Sequence, residues 1–106
     1  MGEARLLEST QRFLEEPILG EQDLDTKVRL LLEAEYLRRL RQYRRVDRLL
    51  IQKYGMLFEG FVARRVAQQA GYTWDVETDA MDWEQAIGGM RTMERKLREL
   101  READRV

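Results

Sequence analysis

Residues 25–54, DTKVRLLLEAEYLRRLRQYRRVDRLLIQKY, contain neither Pro nor Gly and decide the fold. Leu, Arg, Glu, Ala and Gln dominate them, all good helix formers. At about 100° per residue, Val28, Leu32, Tyr36, Leu40, Tyr43, Val46, Leu50, Ile51 and Tyr54 fall within about 140° of one another. Arg38, Arg41, Arg44, Arg45 and Arg48 fall on the opposite arc. The pattern predicts one amphipathic helix, about 45 Å long at about 1.5 Å per residue. Asp25 or Thr26 is the expected N-cap, since either side-chain oxygen can accept a bond from an unpaired N–H. Gly55 is expected just past the C-terminus in a left-handed conformation.

Working outward from that helix, Phe58, Phe61, Val62, Val66 and Ala70 repeat at i, i+3, i+4 and predict a short third helix with a buried stripe. Phe58 and Phe61 read as core, and Gly71 ends the element. Residues 72–78 alternate in polarity, with Tyr72, Trp74 and Val76 on one side. A lone strand would have no partner in this chain. The expectation is therefore an extended linker that tucks its aromatics against the bundle.

A last helix is expected from Thr78 or Asp79, with Asp79, Asp82 and Glu84 in its first turns, where the dipole favours anions. Trp83, Ala86, Met90, Met93, Leu97 and Leu100 are spaced 3, 4, 3, 4, 3, an a/d seam that Ile87 widens. Gly88-Gly89 interrupts it. Two adjacent glycines cost about 2 kcal/mol of helix propensity relative to Ala. Either a close helix–helix approach or bend compensates, or the helix is weak or broken there. Upstream, residues 3–16 form a short helix with Leu6, Thr10 and Phe13 on one side and Leu7 and Leu14 beside them. Pro17 stops it by moving the preceding residue out of the α region. Ile18 and Leu19 make a small apolar plug, and residues 20–25 a polar connector.

The chain of 106 residues suits one small helical domain. Its parts are an N-terminal helix and connector (1–24), the long and short helices (25–71), and a linker with the C-terminal helix (72–106). The fold class expected is all-α: three to four helices around the long one, an elongated bundle or hairpin, oligomeric or partner-bound. Charged residues make up 37% of the chain, above the roughly 25% usual in globular proteins. The net charge of −1 gives the whole molecule no field to attract nucleic acid. The charge is nevertheless partitioned, +5 over 25–54 and −5 over 72–84.

With no Cys and no His, disulfides, cysteine nucleophiles, Cys/His zinc sites and imidazole acid–base chemistry are excluded together. Ser9 is the sole serine, and no Gly-rich phosphate loop occurs, so no enzyme activity is expected, and no cofactor. The acids Asp75, Glu77, Asp79, Asp82 and Glu84 lack the calcium-loop pattern and read as helix-start or docking residues rather than metal ligands. No apolar run approaches the roughly 20 residues of a bilayer span. Met1-Gly2-Glu3-Ala4-Arg5 does not have a signal-peptide layout, so the cytoplasm is the expected setting.

Two surfaces stand out. Trp74 and Trp83 flank the acidic cluster, the composition of an interface anchor and equally of a small core. Trp74, Asp79, Asp82, Trp83 and Ile87 are the expected partner-docking surface. The face of Arg38, Arg41, Arg44, Arg45 and Arg48 offers phosphate contacts, with Tyr36 or Tyr43 to stack on bases. Glu33, Glu35 and Asp47 close by argue instead for a solvated face or an acidic protein partner.

At residues 52–61, QKYGMLFEGF, the chain resembles a segment of small prokaryotic antitoxins in which a helix ending Lys-Tyr-Gly-Met precedes one opening Phe-Glu-x-Phe. The resemblance covers about ten residues. It implies a helical segment that wraps and blocks a toxin, beside a separate N-terminal DNA-binding domain. Residues 1–24 show no ribbon-helix-helix strand or other DNA-reading module, so toxin neutralisation alone carries over. The function expected is a non-enzymatic protein-binding module of antitoxin type. The alternatives are a nucleic-acid-associated protein using the arginine face, and a homo-oligomeric structural bundle.

Overall fold

The computed structural model describes residues 5–16 and 23–103, and the fold is all-α. In chain order the helices are α1 (Glu8–Glu15), α2 (Leu24–Tyr54), α3 (Phe58–Ala63), α4 (Val66–Gln69) and α5 (Trp74–Ala103). Among the described residues there is no strand, and no helix is long and apolar enough to cross a membrane. The chain forms two compact units, Met1–Ala34 and Glu35–Val106, and α2 contributes to both.

In the first unit α1 is shorter than the expected 3–16. It begins at Glu8, and Leu6 and Leu7 lie exposed before it. Its end matches the proline argument, because Glu16 is extended at ψ 143°. The expected Ile18–Leu19 plug lies outside the described residues. The cap of α2 is neither Asp25 nor Thr26 but Asp23, whose Oδ1 accepts the Thr26 N–H at 2.8 Å. The Thr26 side chain first, and this backbone bond second, hold the Asp23 carboxyl below its ordinary pKa. Asp25 instead bonds Arg29 one turn on, at 2.8 Å. Leu14 is buried here, as is Lys27, whose Nζ donates to the Leu14 carbonyl at 2.6 Å. Carbonyls in the last turn of a helix have no partner within it, so Lys27 finishes α1 from another helix.

In the second unit α2 and α5 run antiparallel. Leu40 packs with Met93 and Leu97, while Leu50, further along α2, packs with Trp83, earlier in α5. The seam expected for α5 is the one that forms: Trp83, Ala86, Met93 and Leu97 are buried, with Met90 packed beside them. Gly55 turns the chain out of α2 at φ +67°, as expected.

The expected single third helix is two. Arg65 stands at φ 53°, a left-handed conformation disfavoured for a side-chain-bearing residue, and separates α3 from α4. Phe61 is buried and Phe58 and Val66 pack against its cluster, whereas Val62 is exposed. Gly71 at φ +73° ends α4. The Tyr72 N–H bonds Ala67 O at 2.9 Å and the Gly71 N–H bonds Gln68 O at 3.0 Å, the paired closure of a Schellman motif.

That closure leaves no room for the expected linker over 72–78. Helix α5 starts at Trp74, four residues before Thr78, with Asp75 and Glu77 in its first turn. Thr73, a favourable N-cap type, supplies the carbonyl for the first helical bond, from the Glu77 N–H at 2.9 Å. The helix continues through Gly88-Gly89 without a break. At Gly89 an added Cβ would lie 2.4 Å from the Tyr43 ring, so α2 and α5 approach closely there. At Gly88 it would meet nothing within 4 Å.

Candidate partner-binding surfaces

The structure separates the two tryptophans. Helix α5 turns at about 100° per residue, and nine residues put Trp74 and Trp83 on opposite faces. Trp83 is 0% exposed. Its ring lies 5.9 Å from Tyr54, 5.4 Å from Phe58 and 5.1 Å from Phe61, centroid to centroid. Burying an indole leaves its N–H in need of an acceptor, and Asp47 Oδ1 provides it at 2.8 Å. The expected docking role of Trp83 therefore gives way to a core role, and Ile87 packs in the same cluster.

Asp79 is also turned inward. Its Oδ2 accepts from Lys53 Nζ and from the Tyr54 hydroxyl, both at 2.6 Å. Burial alone would raise its carboxyl pKa, but the two hydrogen bonds outweigh burial and hold it below the ordinary value. Tyr54 is pushed up to about 12, first by burial and then by its bond to that carboxylate. The partitioned charges of 25–54 and 72–84 thus meet inside the chain at the Lys53–Asp79 pair.

What remains outside on this part of α5 is Trp74, 80% exposed, Met81, 71% exposed, and the exposed Asp75, Glu77, Asp82 and Glu84. Of the five residues expected to dock a partner, the structure leaves Trp74 and Asp82 at the surface.

The arginine face is exposed as the sequence pattern requires, but part of it is engaged. Glu35 accepts from Arg38 at 2.6 Å and from Arg39 at 2.9 Å, and these bonds pull its carboxyl down to about 2. Arg44 lies 3.6 Å from Glu94 on α5. Arg41, Arg45 and Arg48 are exposed on the same face. Tyr36 and Tyr43 pack against the Leu40–Met93–Leu97 cluster, so their rings serve the core rather than a base.

A third surface joins residues that periodicity placed on apolar helix faces, Leu6, Leu7, Phe13, Val28 and Leu32, with Leu30 and Leu31, which it did not. In the first unit Leu6, Leu7, Phe13, Val28, Leu30, Leu31 and Leu32 are all exposed. Three consecutive leucines span about 200° of a helix, more than one neighbouring helix can cover. The sequence signal was there, in the run Leu30-Leu31-Leu32, but the single-stripe reading used only Leu32.

No family model, curated protein or solved structure matches this chain. Among the described residues no group of carboxylates is arranged to hold a metal ion.

Proposed function

We propose that the chain is a non-enzymatic protein-binding module of antitoxin type, which neutralises a toxin by laying its helices against it. One observation carries the reading. Among its described residues, the first unit exposes seven large apolar side chains while it buries Leu14 and Lys27. Solvent-facing apolar area of this kind marks an interaction surface. Helix-in-groove recognition uses such residues at i, i+3, i+4 spacing, which Val28, Leu31 and Leu32 supply.

The test is reconstitution. A tagged chain pulls candidates from native-host extract at moderate salt. Each candidate is then expressed alone and mixed with the pure chain. A partner that is toxic alone, harmless when co-expressed and bound in a defined stoichiometric complex supports the reading. Leu31→Asp together with Leu32→Asp must abolish that complex while the helical content stays. Survival of the complex in this variant would refute it.

Arg41, Arg45 and Arg48, exposed on one face, support a second reading as a nucleic-acid-associated protein. Several phosphate contacts make binding fall by orders of magnitude between about 50 and 200 mM salt. Weak binding that is flat across this range dismisses it.

A further inference from the structure

Among the described residues, no close neighbour in its own chain requires a glycine at 88. Gly89 beside it is required by the Tyr43 ring, but a Cβ on Gly88 would enter open space. A helix-interior glycine lowers helix stability relative to Ala, and glycine in a helix otherwise permits close backbone approach. Gly88 lines an open groove of about 520 Å³ between α3 and α5, beside Phe58, Val62 and Ile87.

It also sits in the middle of a second stripe on α5. Trp74, Glu77, Met81, Glu84, Gly88, Arg91, Arg95 and Arg98 are spaced 3, 4, 3, 4, 3, 4, 3, and every one is exposed. Charge along the stripe is polarised. Its acids, Glu77 and Glu84, precede Gly88, and its bases, Arg91, Arg95 and Arg98, follow it.

We infer that this stripe is a homodimer face, on which the α5 helices of two copies cross antiparallel at Gly88. A two-fold interface must be self-complementary, and this stripe is so in one orientation. Mirrored about Gly88, Glu84 of each copy meets Arg91 of the other and Glu77 meets Arg98. Met81 lies along the Arg95 stem. At the crossing the two glycines let the helix backbones approach, and the apolar groove beside Gly88 receives the other copy's side chains. A parallel pairing would set acid on acid and base on base. Arg95 lies 3.6 Å from Glu99 outside the stripe, an ion pair exposed at both ends, and such pairs contribute little. This proposal uses α5 residues only and stands apart from the apolar surface of the first unit.

The experiment is analytical ultracentrifugation of the full chain across a concentration series, with circular dichroism to check each variant's fold. The wild-type chain is expected to be a dimer that weakens as salt rises. Gly88→Leu, at a position where an added Cβ meets nothing within 4 Å, is expected to weaken dimerisation at least about 100-fold. Glu84→Arg and Arg91→Glu are each expected to weaken it about 10-fold or more. Mixed together, the two single variants must recover a dimer within about 3-fold of wild type, because each mutant residue then faces its opposite charge. A wild-type chain that stays monomeric at every concentration overturns the proposal. So does an oligomer that Gly88→Leu and Glu84→Arg leave intact, or a mixture that recovers nothing.

Discussion

The two units differ in how much of their apolar side-chain set they bury, although both leave some of it exposed. Over 35–106, leucine, methionine and aromatic side chains at helical spacing meet a facing helix and are buried: Leu40, Leu50, Phe61, Trp83, Met93 and Leu97. Among the described residues up to Ala34, Leu14 is the one apolar side chain that is buried. The helix α2 is continuous across both. Amphipathic spacing therefore makes a core only where a second element of matching length and register lies opposite. Where none does, the same leucines form a surface.

The largest break in this contrast is Trp83→Ala. It removes the side chain at the centre of three aromatic contacts and leaves Asp47 without its donor. Urea unfolding should show a loss of about 3–5 kcal/mol, against no more than about 0.5 kcal/mol for the exposed Trp74→Ala. Comparable losses for both would mean that the core is not centred where it is described.

Next come the paired glycines. Gly89→Ala pushes a Cβ into the Tyr43 ring, and the resulting overpacking should cost about 1–3 kcal/mol. Gly88→Ala meets nothing in its own chain and should raise the intrinsic stability of the helix by up to about 1 kcal/mol. At concentrations where the chain is monomeric, the two midpoints should therefore move in opposite directions.

These variants also show how far the sequence could be read. The seam of α5 was legible because its 3, 4 spacing is sustained over Trp83, Ala86, Met90, Met93 and Leu97. The long helix was legible because nothing interrupts residues 25–54. The start of α5 was missed because residues 72–78 alternate in polarity, a period-two signal that outweighed Thr73 as a cap and Asp75 and Glu77 as first-turn acids. With the helix extended back to Trp74, simple angular counting would have placed the two tryptophans on opposite faces. The left-handed Arg65 carried no such signal. No glycine or asparagine marks it, and the turn lies between Phe61 and Val66, which pack in one cluster. The cap at Asp23 lies outside the two positions expected, Asp25 and Thr26, because an Asp stands at both 23 and 25 and either carboxylate is a favourable cap.

A smaller effect, of about 1–2 kcal/mol, is expected for Asp79→Asn, which weakens the bonds from Lys53 and Tyr54. The pH dependence has a definite sign. The Asp79 carboxyl is lowered in the fold, so its contribution is present above the unfolded value of 3.8 and fades as pH falls through the folded one. Tyr54 is raised from 10.0 to about 12, so its contribution is complete below pH 10 and disappears between 10 and 12. The wild-type stability curve should fall in both windows, and the variant's should be flatter in both.

The smallest global effect should come from Lys27→Met, and it tests the first unit most directly. A helix of eight residues is marginal by itself. What holds α1 within the described residues is the buried Leu14 and the Lys27 ammonium on its carbonyl. Methionine keeps the apolar stem and removes the donor. Loss of a charged hydrogen bond of about 1.5 kcal/mol or more should speed amide exchange in α1 about tenfold. The unfolding midpoint, reported by the Trp83 cluster, should shift by less than about 0.5 kcal/mol. A large midpoint shift would instead couple the first unit to the core of the second, and the contrast between them would be one of exposure without independence. Unchanged exchange in α1 would move the weight from Lys27 to Leu14 alone, a prediction that Leu14→Ala then tests against the same amides.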